Sequence, residues 1–118
     1  MAKGGRLPPG QAQEAKPSWA VKFATRKIEK DTGKLPSNVQ ELLAQLFIDI
    51  ADTGPSQPEW PNYGKLKRKR GQAAGVNRHH CHLKKGHPTY VAIWRETEKT
   101  VVVEVIYVGT HEGANKEY

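Results

Sequence analysis

A row of apolar residues at helical spacing is the strongest constraint on the fold of this chain. Over residues 39–50 the apolar side chains recur at intervals of three and four positions, with polar side chains between them. This period predicts one amphipathic helix with a single buried face. Pro36 suits its first turn, Ser37 and Gln40 form a potential capping box, and Gly54 ends it. The predicted buried face consists of Val39, Leu42, Leu43, Leu46, Phe47 and Ile50.

Alternating apolar residues predict strands on both sides of this helix. Trp19, Val21 and Phe23 alternate with small or polar residues, which is typical of a strand with one buried face. The last two strands are apolar on both faces apart from Glu104, so we expect them near the centre of a sheet. The predicted elements are a strand over residues 18–24, a short polar helix over 25–32, the amphipathic helix, and strands over 77–83, 89–94 and 101–108.

The order of these elements indicates an α+β domain. A strand, two helices and three further strands favour helices packed on one face of an antiparallel sheet, and the short turn at residues 96–99 predicts a hairpin. Residues 1–17 are too poor in apolar side chains to fold, so we expect a flexible tail before a single domain over residues 18–118. The proline-rich residues 54–61 are interpreted as an extended connector, and residues 71–75 as a flexible loop.

The cysteine content and the hydropathy favour a cytoplasmic protein. Cys81 is the only cysteine, which excludes an internal disulfide framework and a cysteine-rich zinc module. No apolar run approaches the ~20 residues that a membrane helix requires, and the first residues lack the apolar core of a secretory signal. We therefore expect a protein of a reducing compartment.

Residues 60–95, called the basic segment below, concentrate the positive charge of the chain. They contain nine Lys or Arg, four of the five histidines and no Asp or Glu. The remaining residues carry ten basic and twelve acidic side chains, a balance of −2, so the formal charge of +7 originates in this segment. Such an unopposed positive field favours a polyanionic partner, because each cation that neutralises a phosphate releases a counterion.

Aromatic residues within the basic segment extend this interpretation to single-stranded nucleic acid. Tyr63, Tyr90 and Trp94 could stack on bases. For Tyr90 and Trp94 the alternative is packing in the core, since both lie on a predicted strand.

The histidines suggest proton transfer, although residue types alone leave several readings open. His80 and His82 are two apart on a predicted strand and therefore share a face, where they could bind a metal, contact phosphate or exchange protons. Cys81 lies on the opposite face with Leu83, which favours a buried thiol over a nucleophile. His111 directly follows the last strand, a position where loops commonly present functional groups.

Four sequence motifs resemble a known family. The run HHCHLKKGHPTYVAIW, the strand ending YVGTH and the final Tyr118 resemble the C-terminal half of the RelE, HigB and YafQ group of bacterial toxins from toxin–antitoxin modules. The run LPSNVQELLAQLFIDIADTGP resembles the first half of the same fold. The resemblance implies a metal-independent endoribonuclease without a cofactor, which cleaves messenger RNA on the ribosome and is neutralised by a cognate antitoxin, typically of helix-turn-helix type.

The resemblance also implies roles for individual residues. His82 and His111 match family histidines that transfer protons, and Tyr118 resembles an aromatic residue that contacts the substrate. Lys84 and Arg95 would stabilise the charge on the phosphate. The residues expected to hold the RNA are Lys65, Lys67, Arg68, Lys69, Arg70, Arg78, His80, Lys85 and His87.

Two other classes of function remain compatible with the same residues. One is a nucleic-acid-binding module without catalysis, in which the histidines only extend a cationic surface. The other is a toxin of the same fold that resembles ParE and poisons DNA gyrase. Both would need the positive field, and neither would need the pair of histidines to act on protons.

Overall fold

A computed structural model describes residues 18–67, 77–97 and 101–117 of the chain. The predicted tail at residues 1–17 and the predicted loop at residues 71–75 lie outside this range. Strands and helices follow in the order β1 Ala20–Phe23, α1 Arg26–Thr32, α2 Ser37–Thr53, β2 Gly64–Leu66, β3 Arg78–Lys84, β4 Tyr90–Glu96, β5 Val102–Thr110 and a 3-10 helix, η1, Glu112–Lys116.

The described strands form one sheet in the order β1-β5-β4-β3-β2, which confirms the α+β class. Strands β2 to β5 are antiparallel neighbours, as the hairpin prediction requires. Strand β1, however, runs parallel to β5, with Ala20 opposite Val102, so the sheet is mixed and the prediction of an antiparallel sheet is wrong at this edge. Alternation reports which face a strand buries but carries no information on its direction, and β1 pairs with the strand most distant in sequence.

Strand β2 was not predicted from the sequence. It spans only three residues, and its apolar residue Leu66 stands between Lys65 and Lys67. Three residues are too few to establish an alternation, so the strand is defined by its antiparallel pairing with β3.

Helix α2 has the buried face that its periodicity predicts. Val39, Leu43, Leu46 and Ile50 are buried, and the remaining apolar residues of the stripe pack against the same core. The capping box is wrong: Pro36 occupies the N-cap and Ser37 is already helical. The side-chain amide of Gln40 donates instead to the carbonyl oxygens of Gly33 and Leu35, which precede the helix.

Helix α1 confirms the prediction of a short polar helix. It begins after Thr25, whose hydroxyl oxygen accepts a hydrogen bond from the amide of Ile28 at 3.2 Å. A threonine in this position satisfies one of the amides that the first turn leaves without an intrahelical partner.

The sheet carries a separate core cluster on each face. On one face α2 packs against Cys81, Leu83, Ala92 and Trp94, together with valines of β5. On the other face Val91 and Ile93 pack with Ala114 of η1. None of the helices that the structure describes combines the length and the apolar character of a membrane-spanning segment. The face that carries η1 is also the face of His80 and His82, as their pairing with Ile93 and Val91 requires.

The predicted extended connector after α2 instead folds back onto the end of that helix. Gln57 is buried, and its amide donates to Asp49 O, Thr53 Oγ1 and Gly54 O at 2.8–3.1 Å. Trp60 Nε1 donates to the Asp49 carboxylate at 2.8 Å. The prolines and the glycine indicated correctly that no regular element forms, but one buried glutamine amide is enough to make the segment compact.

Gly54 is expected to be required for the junction between α2 and this segment. Its φ of 97° is in the left-handed region, and a Cβ atom would lie 3.0 Å from the indole ring of Trp19. Gly54→Ala should therefore lower the free energy of unfolding by roughly 1–3 kcal/mol, through backbone strain and steric overlap. The measurement is urea unfolding. Gly33→Ala is the control, because Gly33 has a φ of −65° and its Cβ would meet no atom closer than 3.4 Å.

Candidate active site

Two histidines that lie far apart in the sequence meet at one end of the sheet. Strand β4 lies between β3 and β5, and Val91 is opposite both His82 and Gly109. His111 follows Thr110 directly and is the N-cap of η1. Its amide donates to the carbonyl oxygen of Thr89 at 2.7 Å, which fastens the end of β5 to the loop before β4. Because these neighbouring strands are antiparallel, His111 and His82 lie at the same end of the sheet.

The imidazole rings of His82 and His111 are in contact. Their centroids are 5.5 Å apart and their planes are inclined at 82°, so the edge of one ring meets the face of the other. Both rings line a surface groove of about 400 Å³ together with Pro88, Thr89 and Glu112. The two residues that the sequence proposes for proton transfer are therefore neighbours in a groove open to solvent.

The electrostatic environment favours the neutral form of His82. Partial burial lowers the pKa of His82 below its ordinary value of 6.5, and the positive charges of His111 and Lys85 lower it further. Burial likewise lowers the pKa of His80, with contributions from His82, His111 and His79. Positive charge on the neighbouring imidazoles therefore opposes protonation of both His80 and His82.

Lys84 and Lys85 lie at the same end of the sheet as the histidine pair. Both side chains are exposed, and neither forms an ion pair with the residues that the structure describes. Lys84 is opposite Tyr90, after an irregularity in the β3–β4 pairing that follows His82. His87 is exposed in the loop between β3 and β4 but does not line the groove.

Arg95 is not brought to the histidine pair. It lies near the C-terminal end of β4, opposite Arg78 of β3 and Glu104 of β5. His82 is opposite Val91, near the N-terminal end of β4. Its guanidinium forms two hydrogen bonds to the Glu104 carboxylate, at 2.8 and 3.0 Å. Lys65 and Lys67 are exposed, and Lys65 is opposite His79, which places it on the other face of the sheet from His82.

Arg78, expected on the RNA-binding surface, is buried, with 5% of the residue's surface exposed. Its guanidinium donates to the carbonyl oxygen of Lys67 at 2.8 Å and to that of Glu117. It therefore ties the end of β2 to the segment that follows η1. The other predicted site residues, Arg68, Lys69, Arg70 and Tyr118, lie outside the described residues.

His79 has a structural environment that the sequence interpretation missed. It is 1% exposed and lies parallel to the indole of Trp94, with 5.8 Å between the ring centroids. Its Nδ1 is 2.8 Å from the Tyr63 hydroxyl, and its Nε2 is 2.8 Å from a Glu96 carboxylate oxygen. Because a carboxylate only accepts, Nε2 donates to Glu96 and Nδ1 accepts from Tyr63. The same period-2 rule that separates His82 from Cys81 assigns His79 to the buried face.

The aromatic residues of the basic segment belong to the core. Trp94 is fully buried, and its Nε1 donates to the carbonyl oxygen of Pro55 at 2.9 Å. Tyr63 and Tyr90 are half-buried against the same core cluster. Core packing is thus confirmed for Trp94, which cannot stack on a base.

Glu112 is a groove residue that the sequence interpretation did not identify. It lines the groove beside both imidazoles and is exposed. Its position directly after His111 was the available signal. In the described part of the chain no group of three or more His, Cys, Asp or Glu side chains is arranged to hold a metal ion.

The thiol of Cys81 is expected to be unreactive in the folded protein. The residue is fully buried, as predicted, and burial raises the pKa of its thiol to about 12. At pH 8 the reaction of the native chain with a disulfide reagent should be at least ~100-fold slower than that of the chain unfolded in urea, because the thiolate is the reactive form. Comparable rates in the two states would contradict the burial of this residue.

Comparison with known proteins does not assign the chain to a family. Comparisons with protein-family models, with curated proteins and with solved structures find no match. The resemblance to the RelE group therefore depends on the sequence motifs alone. The groove with His82 and His111 is the structural feature that bears on function.

Proposed function

We propose that this protein is an endoribonuclease toxin of RelE-like type, which inhibits translation by cleaving messenger RNA. The observation that carries the proposal is the contact between His82 and His111 in an open groove, with 5.5 Å between the ring centroids. At this separation both imidazoles can reach atoms of one phosphodiester. A cationic surface without catalysis would not require two histidines from distant parts of the sequence to be in contact.

The proposed reaction requires one proton acceptor and one proton donor. The acceptor takes the proton of a ribose 2'-hydroxyl, whose oxygen attacks the adjacent phosphorus. The bond from phosphorus to the 5'-oxygen of the next nucleotide then breaks, and the donor supplies a proton to that oxygen. The products are a 2',3'-cyclic phosphate and a free 5'-hydroxyl. A positioned acid or base typically contributes ~10²–10⁴-fold to such a rate.

His82 is assigned as the base and His111 as the acid. Burial and the neighbouring positive charges lower the pKa of His82, which keeps its imidazole neutral and able to accept a proton. His111 is exposed at the start of η1. A positive charge on His111 opposes protonation of His82, which favours a neutral His82 able to act as the base.

The exposed lysines beside the groove would hold the substrate. Lys84 and Lys85 follow His82 at the end of β3 and can neutralise phosphate charge. Lys65 and Lys67, which are exposed on and directly after β2, would add positive charge for the RNA backbone outside the groove. Messenger RNA in the ribosome, in the cytoplasm, is the proposed substrate, and a cognate antitoxin that covers this surface is the proposed partner.

Cleavage of RNA by the purified full-length chain tests the proposal. We expect cleavage of a synthetic messenger RNA, either free in the presence of EDTA or bound to 70S ribosomes in a buffer that contains Mg²⁺, with a 2',3'-cyclic phosphate on the upstream product. The same RNA with a 2'-deoxynucleotide at the cleaved position should remain intact there, because the attacking hydroxyl is missing. RNA binding without cleavage in either setting would replace the proposal by the non-catalytic module, and inhibition of DNA gyrase would favour a ParE-like toxin.

A further inference from the structure

The turn that carries His111 is held by one aromatic side chain, Tyr107. The Tyr107 hydroxyl donates a hydrogen bond of 2.9 Å to the carbonyl oxygen of Thr110, the residue directly before His111. The side-chain oxygen of Thr110 accepts in turn from the amide of Gly113 at 3.1 Å. His111 therefore lies between two residues that are tied to each other, and the first of them is tied to the tyrosine.

Two glycines leave the space that the Tyr107 hydroxyl occupies. A Cβ atom added to Gly109 would lie 2.6 Å from this oxygen, and one added to Gly113 would lie 2.5 Å from it. Both distances are far below van der Waals contact. The positive-φ glycines of the described chain are Gly54 and Gly86, so backbone conformation does not explain glycine at these two positions. The close approach of the hydroxyl does.

The remainder of η1 is anchored at two other points. Ala114 is fully buried against Val91 and Ile93, and Arg78 donates to the carbonyl oxygen of Glu117 beyond the helix. These contacts fix the middle and the end of the segment. At His111 the backbone amide is held by Thr89 O, and Tyr107 supplies the side-chain contact to the preceding residue, although Tyr107 does not line the groove itself.

We infer that Tyr107 is a positioning residue, whose hydroxyl fixes the turn at Thr110 so that the His111 ring meets His82 edge to face. Its effect on RNA cleavage rests on the proposed function, whereas its effect on the geometry of the histidine pair does not. Tyr107 acts through the backbone of the turn and touches no substrate.

Tyr107→Phe removes the hydroxyl and keeps the ring. We expect the His82 imidazole signal, followed by NMR, to titrate at a higher pH than in the parent chain, because the His111 charge moves away from it. The other ionisable groups near His82 are unchanged in this variant, so the shift reports the position of His111. These groups are His80, Lys85 and Glu112. For RNA cleavage, kcat should fall on the order of 10- to 100-fold while KM stays within about twofold.

A suppression experiment separates positioning from a general loss of stability. Gly113→Ala should reduce kcat more than Tyr107→Phe does, since the new methyl group displaces the hydroxyl and the turn. In the double variant the ring carbon Cζ of residue 107 is 3.7 Å from that methyl group, and the remaining close atom is Thr110 Oγ1 at 3.0 Å, which belongs to a side chain and not to a rigid ring. Tyr107→Phe should therefore partly restore kcat and the His82 titration. Gly109→Ala is the matched control, because its Cβ stays 3.0 Å from the ring carbon Cζ after the hydroxyl is removed and no rescue is expected.

Each result has a definite meaning. An unchanged His82 titration in Tyr107→Phe would overturn the inference, and so would a Gly113→Ala phenotype that Tyr107→Phe does not relieve. If the parent chain cleaves no RNA but its His82 titration shifts as expected in Tyr107→Phe, the positioning role stands and the proposed function fails. If the parent chain cleaves RNA and Tyr107→Phe matches it in kcat and in titration, the positioning role fails alone.

Discussion

Replacing His82 or His111 by alanine is expected to lower the rate of RNA cleavage by ~10²–10⁴-fold for each residue. The physical reason is that each imidazole serves one of two proton transfers, and neither transfer has another imidazole at the same place in the groove. The measurement is single-turnover cleavage of a short RNA by the full-length chain. RNA affinity should change little, because the lysines that neutralise the phosphates are retained.

Two comparisons make this prediction specific. His87→Ala makes the same substitution at an exposed histidine of the β3–β4 loop that does not line the groove, so at saturating RNA its single-turnover rate should remain near that of the parent chain, and any loss should be confined to RNA affinity. In the double variant of His82 and His111 the fold-reduction in cleavage rate should be smaller than the product of the two single reductions. The reason is that the effects of residues that act as a unit are not additive in free energy. Parent-like cleavage by either single variant would remove that residue from the mechanism.

The pH dependence of the same reaction identifies which histidine accepts the proton. A base and an acid acting together produce a bell-shaped dependence of kcat/KM on pH. The acid side of the bell belongs to the group that must be neutral, which we assign to His82, because burial and two neighbouring charges lower its pKa. The acid limb should therefore disappear in His82→Ala and remain in His111→Ala. The reverse result would exchange the two roles.

Local patterns in the sequence predicted the elements and the faces of the site. The three- and four-residue spacing of α2 and the alternation of β3 depend on near neighbours in the chain. Both were confirmed, including the burial of Cys81 on the face of β3 that does not carry His82. The contact between His82 and His111 could not follow from such patterns. It requires β3, β4 and β5 to be adjacent and antiparallel, which is a property of the whole sheet.

Charge counting was least informative about individual residues. Arg78 and Arg95 contribute to the positive balance of the basic segment, yet one is buried between carbonyl oxygens and the other is paired with Glu104. Glu104 lies outside the segment in sequence and next to it in space, so an acid-free stretch of chain is not an acid-free surface. Among the described residues of the segment, the exposed lysines at the end of β3 direct their charge to solvent beside the groove.

His79 is expected to stabilise the fold rather than to take part in the chemistry. His79→Ala removes a fully buried ring from its stack on Trp94 and leaves the hydroxyl of Tyr63 and the carboxylate of Glu96 without their imidazole partner. We expect the free energy of unfolding in urea to fall by about 2–4 kcal/mol, the sum of a cavity and two lost hydrogen bonds. His87→Ala is again the control, with a change within about 0.5 kcal/mol because the side chain is exposed.

The contribution of His79 should also depend on pH in a defined direction. Burial lowers the pKa of His79 below 6.5, and the Glu96 carboxylate opposes this only in part. Between the lowered pKa and 6.5 the unfolded chain binds more protons than the folded one, so stability is retained above pH 6.5 and declines as the pH falls below it. His79→Phe keeps a ring against Trp94 but cannot titrate, so its free energy of unfolding should decline less steeply than that of the parent chain below pH 6.5. Equal slopes for the two chains would show that the pKa of His79 is not lowered in the folded state.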